Sequence, residues 1–101
     1  MSENPIIVEI ESELEPIVPE FLENRKKDCQ RIEGLLESEN FGEIRTLGHR
    51  MKGAGGSYGF DEISVIGEAI EMAALTGDKE TISRSIVLLD EYIQRVVVVY
   101  V

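Results

Sequence analysis

Apolar positions recur three and four residues apart through most of the chain, the spacing that lines one face of a helix. A first stripe, Leu22, Cys29, Ile32, Leu35 and Leu36, predicts a helix from about Pro19 to Ser38. Pro16 and Pro19 favour a start near Val18, because proline suits a first turn and breaks interiors. Arg25 interrupts the stripe, as a snorkelling side chain does, and Cys29 reads as a small buried hydrophobe. A second stripe, Ile44, Leu47, Met51, Ala54 and Tyr58, predicts a helix from about Phe41 into the glycine cluster near Gly55. The segment GAGGSYG breaks helices on propensity, so the end of this helix is open within it. A third helix is predicted from about Asp61 to Leu75, with Ile63, Ile66, Ile70 and Ala73 inward. Asp61 is its expected N-cap and Gly77 its C-terminal stop. The fourth starts after Asp78, its expected cap, and turns Ile82, Ile86, Leu89, Ile93 and Val96 inward.

Four amphipathic helices with short connections predict an all-α fold, an antiparallel up-down four-helix bundle. Its helical core is expected over about residues 17–95 of a single domain, 1–101. The ends have a different pattern. Ile6, Val8 and Ile10 alternate with Ile7 and Glu9, and Val96 to Val101 is β-branched apart from Tyr100. Segments 5–11 and 96–101 are therefore candidate strands. In such a bundle the first helix starts where the last one ends, which predicts a short antiparallel β-ribbon between them. The plainer alternative is that the fourth helix continues and residues 1–15 fray.

Composition narrows the function. Asp and Glu number 20 against 10 Lys and Arg, a net charge of -10 that repels nucleic acid and anionic membrane surfaces. One cysteine and one histidine supply neither an internal disulfide nor a structural zinc site. The N-terminus lacks a basic n-region, and the longest apolar run falls far short of the ~20 residues of a spanning helix. A soluble, cytoplasmic protein is expected.

The single histidine, His49, sits in the second helix. At roughly 100° per residue it falls opposite the apolar stripe, on the solvent face. Its neighbours there are Gly42, Arg45, Lys52, Gly53 and Gly56. Glycines remove bulk around the ring, so another protein's surface can approach closely. Imidazole is a competent nucleophile near neutral pH, and Arg45 and Lys52 suit an incoming phosphoryl group. The charge agrees: residues 41–60 hold Arg45, Arg50 and Lys52 against Glu43, a net of +2, which leaves -12 elsewhere. A lone histidine on a surface helix is more often an ordinary surface residue. No nucleotide motif accompanies it. Gly48 to Gly53 has Walker-like spacing, but Ala54 stands where lysine is required, and Tyr58 spoils a G-x-G-x-x-G reading. No second acid, base or metal cluster points to a hydrolase.

The run His49-Arg50-Met51-Lys52-Gly53, with Gly59 ten residues after the histidine, resembles the motif of histidine-containing phosphotransfer (HPt) domains, roughly H-x-[LM]-K-G. The likeness extends over about residues 17–95, and ISVIGEAIEMAA resembles the family's next helix, which often ends in a glutamate like Glu71. Gly48, Gly55 and Gly56 depart from the pattern by making this helix unusually glycine-rich. The resemblance implies a phosphocarrier in a two-component phosphorelay, accepting a phosphoryl group from a receiver-domain aspartate and passing it on. His49 matches the phosphoacceptor, Lys52 the lysine that assists with phosphoryl charge, Gly53 the small residue that leaves the ring accessible, and Gly59 a structural glycine. Arg45 joins them on wheel geometry alone. Gly53, Gly56 and Arg50 are expected to face the partner. The docking surface is expected on the helix around His49 and the neighbouring face of the first helix, as an apolar patch ringed by polar residues. The implied partners are a response-regulator receiver domain, a hybrid sensor histidine kinase, or both. The chain needs no cofactor or metal of its own, Mg²⁺ being expected on the receiver, and it is a stoichiometric carrier, not an enzyme. A monomer suits a carrier that exposes one face. The rival is a binding-only HPt-like module that docks a receiver or kinase without accepting phosphate.

Overall fold

The computed structural model describes residues 4–101. Strand β1 (Ile6–Ile10) is followed by a 3-10 turn (Ser12–Leu14) and helices α1 (Val18–Glu37), α2 (Phe41–Tyr58), α3 (Asp61–Leu75) and α4 (Lys79–Arg95), then strand β2 (Val96–Tyr100). The protein is thus mostly helical, with four helices where the apolar stripes predict them. α1 packs on α2, α2 on α3, α3 on α4, and α4 on α1, a closed ring of contacts that fits a four-helix bundle. Ile32, Ile44, Met51, Ile63, Ile70 and Leu89 are among the side chains fully buried at its centre.

Local chemistry explains the helix ends. Pro19 lies in the first turn of α1, where its missing N–H costs nothing. The Asn40 side chain accepts a hydrogen bond from the Glu43 N–H at 3.2 Å, and Asp78 caps α4 through the Thr81 N–H at 3.1 Å. Asp61 is not the cap of α3. Phe60 holds that position, fully buried, and Asp61 is the first helical residue, where its carboxylate still favours the helix N-terminus. Gly77 has a positive φ of 68° just past α3, as a stop requires.

α2 runs through the glycine cluster to Tyr58, beyond the Gly55 neighbourhood where propensity would weaken it. Packing overrides propensity. A Cβ at Gly55 would lie 2.6 Å from the Ser64 backbone nitrogen, so glycine here permits contact with α3. The stop comes at Gly59, left-handed at φ 88°, with the N–H groups of Gly59 and Phe60 returning to the carbonyls of Gly56 and Gly55. Phe21 of α1 packs against both aromatic rings at this corner, 4.6 Å from Tyr58 and 5.3 Å from Phe60. Arg25 lies over the Phe21 ring and pairs with Asp28, the snorkelling arrangement its stripe position implied. Cys29 is buried, and desolvation pushes its thiol up to about 12.

The terminal segments do form a ribbon, but a parallel one, with Ile6 opposite Val96 and Ile10 opposite Tyr100. The antiparallel expectation requires β1 to lead straight into the first helix. Instead the 3-10 turn and the residues up to Ile17 let the chain reverse before α1 begins. β2 continues directly from α4, with Val96 switching to extended backbone. The whole helical body is the crossover between two parallel strands. Ile6, Val8 and Ile10 face the core, while Ile7 and Glu9 face out.

Candidate functional site

The site is built where α2 meets α3, the most extensive helix pair in the molecule. A Cβ at Gly48 would lie 2.7 Å from the Glu71 backbone nitrogen and 2.9 Å from the Gly67 carbonyl oxygen. One at Gly67 would lie 2.5 Å from the Lys52 nitrogen. No side chain fits in these places, so the two backbones touch. The Ser64 hydroxyl adds a hydrogen bond to the Lys52 carbonyl at 2.8 Å. Gly48 thus lies against Gly67 and Glu71 while Gly55 lies against Ser64, so the two helices run in opposite directions.

That close approach sets Glu71 beside His49. The imidazole Nδ1 is 3.0 Å from Glu71 Oε2, and Lys52 Nζ is 3.7 Å from Glu71 Oε1. A carboxylate only accepts, so Nδ1 is the donor and the ring's proton sits there. Nε2 is then the lone-pair nitrogen of the neutral ring. The His49 side chain is 70% exposed, whereas that of Glu71 is only 15% exposed. A fixed, mostly buried carboxylate therefore orients an open ring, in the way a second group commonly fixes a histidine's tautomer.

The other predicted site residues divide by side. Gly53 and Gly56 are exposed, with open space around Gly53 and only the Ser64 hydroxyl, at 3.8 Å, near Gly56. Arg45 is exposed one turn before His49 and makes no ion pair among the described residues. Arg50 is exposed toward α1, where its charge acts on Asp28. Burial pushes the Asp28 carboxyl up, against the opposing pull of Arg25, Arg31 and Arg50. Gly59 lies apart from the ring, at the C-terminus of α2, where its Cβ would meet Ile10. The contact of Glu71 with His49 escaped sequence reasoning, which noted the residue only as part of a family likeness. A signal exists: Gly48 and Lys52 are four apart on α2, and Gly67 and Glu71 are four apart on α3. Two such small-and-charged pairs mark faces that can close on each other.

Among the described residues, no three His, Cys, Asp or Glu side chains gather to hold a metal, and no helix is long and apolar enough to cross a membrane. Comparisons with curated proteins and with solved structures gave no match. The family model described as "Hpt domain" matches residues 16–98. With that match over most of its length, the chain belongs to the Hpt domain family, whose members are phosphotransfer modules of two-component signalling.

Proposed function

We propose that this protein is a phosphocarrier in a two-component phosphorelay, with His49 as acceptor. The carrying observation is the exposed imidazole whose Nδ1 is held by Glu71, which leaves Nε2 free to react. Nε2 attacks the phosphorus of a receiver's aspartyl phosphate. The N–P bond forms as the acyl P–O bond breaks, and the receiver regains its free carboxylate. The ring becomes a phosphoimidazolium, still protonated at Nδ1, and the Glu71 carboxylate offsets its positive charge. Lys52, and Arg45 one turn away, stabilise the phosphoryl oxygens. Mg²⁺, which belongs to the receiver, would neutralise the same oxygens from the partner's side. Transfer to a second receiver is the same step in reverse. The partners are therefore a receiver domain, free or within a hybrid kinase, and the setting is the cytoplasm. The chain acts as a monomer.

The test is incubation with a receiver domain phosphorylated by acetyl phosphate, followed by assay for acid-labile label on this chain. Wild type takes up label and His49→Gln does not. A wild type that binds receivers without ever taking label is a docking module instead. Equal labelling of His49→Gln would move the acceptor elsewhere.

A further inference from the structure

Strand β1 has one edge in use and one free. Val101 donates to the Ile10 carbonyl and accepts from the Ser12 N–H, each at 2.9 Å. Those two bonds fix the phase of the ladder. In a parallel pair the N–H and C=O of one residue point to the same side, and the side alternates along the strand. Ile6, Val8 and Ile10 therefore direct theirs at β2, while Ile7 and Glu9 turn theirs to the other edge. A groove of about 710 Å³ follows β1 there, between the strand and the flanks of α3 and α4. Ile66 and Tyr92 are its buried floor, and Leu88 of α4, 55% exposed, is an apolar wall. Its charges are Glu9, Asp61, Glu62 and Glu91 against Arg95. Arg95 is already engaged, donating through Nε to the Asn4 carbonyl at 2.9 Å. Burial pushes the Tyr92 phenol up to about 12, and the charges of Glu62 and Asp61 push the same way, so both carboxylates act on the floor. The groove is turned away from His49. Glu62 and Ile66 lie roughly 100° or more round α3 from Gly67 and Glu71, which face α2 and the imidazole.

We propose that this groove takes an extended, basic segment of a partner protein, which joins β1 as a third strand. Such a site is separate from phosphotransfer and does not depend on it. The free edge offers the N–H and C=O groups of Ile7 and Glu9, which any extended backbone can meet. Side chains on one face of the added strand rest on Ile66, Tyr92 and Leu88, and its lysines or arginines meet the carboxylates. A second copy of this chain is the wrong occupant. Its strands bring Glu9 and no cation to a groove that is already acidic.

The experiment titrates the ¹⁵N-labelled full chain with a capped peptide of about eight residues that alternates lysine and valine, long enough to span β1. With peptide bound, the amides of Ile7 and Glu9 are expected to shift and to exchange with solvent about tenfold more slowly, while those around His49 do neither. The same peptide with glutamate in place of lysine does not bind. Ile7→Pro removes a free-edge N–H that the ladder to β2 does not use, and it weakens binding by about tenfold. Glu62→Gln combined with Glu91→Gln weakens binding about fivefold and leaves the strands untouched. If Ile7→Pro loses the ribbon, the wild-type exchange rates and the glutamine variant still decide. Unprotected Ile7 and Glu9 amides at roughly millimolar peptide overturn the proposal, as does equal binding of the glutamate peptide. Protection of these amides that rises with protein concentration and needs no peptide makes the occupant a second copy, and overturns it too.

Discussion

Helix α2 meets its two neighbours in opposite ways. Toward α1 it keeps a side chain's distance, with aromatic packing at one end and the Arg31–Glu43 ion pair across the border. Toward α3 it gives up side chains at Gly48 and Gly55 so that the backbones touch. The first kind of contact tolerates adjustment, because long side chains can swing. The second does not, and it is the one that fixes Glu71 against His49 and Lys52. Geometry at the His49 ring is thus set by the rigid contact, while the adjustable contact supplies general stability.

Substitution at the rigid contact should have the largest effect. Gly67→Ala forces a methyl group against the Lys52 backbone and is expected to cost ~3 kcal/mol in urea unfolding, with slower transfer from the same displacement. A loss under about 0.5 kcal/mol would mean that the helices slide apart freely, and the contrast between the two sides would fail. Next comes Glu71→Ala. Losing a charge-assisted hydrogen bond of ~1.5–3 kcal/mol should slow phosphotransfer by about one to two powers of ten while the helices stay folded. In ¹⁵N NMR the same variant should lose the dominance of the Nδ1-protonated tautomer, a change that simple unfolding would not mimic.

Two open glycines sharpen the contrast further. Gly34 in α1 and Gly53 in α2 have empty space where a Cβ would go. Alanine at either should raise stability by ~0.5–1 kcal/mol by thermal or urea melts. Only Gly53→Ala should slow transfer, because its methyl group would stand one turn from His49 on the exposed face of α2. The smallest effect is expected at Asp28, on the α1 side. Its folded carboxyl is raised above 3.8, chiefly by burial, so the folded state takes up this proton before the unfolded chain does. The contribution of this group therefore improves as pH falls through the raised value toward 3.8. Asp28→Asn should be no less stable than wild type at neutral pH, with the difference closing in acid. A clear loss of stability at neutral pH would mean that the Arg25 pair outweighs burial.

The helices were legible because their signals are local. The spacing of Ile82, Ile86 and Leu89, the cap at Asp78 and the stop at Gly77 all act within a turn or two. The exposure of His49 was legible for the same reason, since a wheel places it on the solvent face. What escaped depends on contacts between distant segments. Glycine has one propensity whether it faces water or another backbone, so Gly48 and Gly55 read as weak points when they are places where two backbones meet. Glu71 lies 22 residues from His49, and only the meeting of two glycine faces joins them. The direction of the ribbon depends on a chain reversal between Ile10 and Val18, which the alternation of Ile6, Val8 and Ile10 does not encode.

The parallel ribbon also bears on the order in which the molecule assembles. Ile6 pairs with Val96 and Ile10 with Tyr100, so every rung joins positions at opposite ends of the chain. The helices and the α2–α3 pair rely on far shorter separations. Contacts that close so long a loop bear their entropy cost before they give anything back, and they form late. The strands should therefore be absent from the folding transition state and be the first part to open afterwards. Weakening them at Val98 would hasten unfolding and leave the folding rate almost untouched.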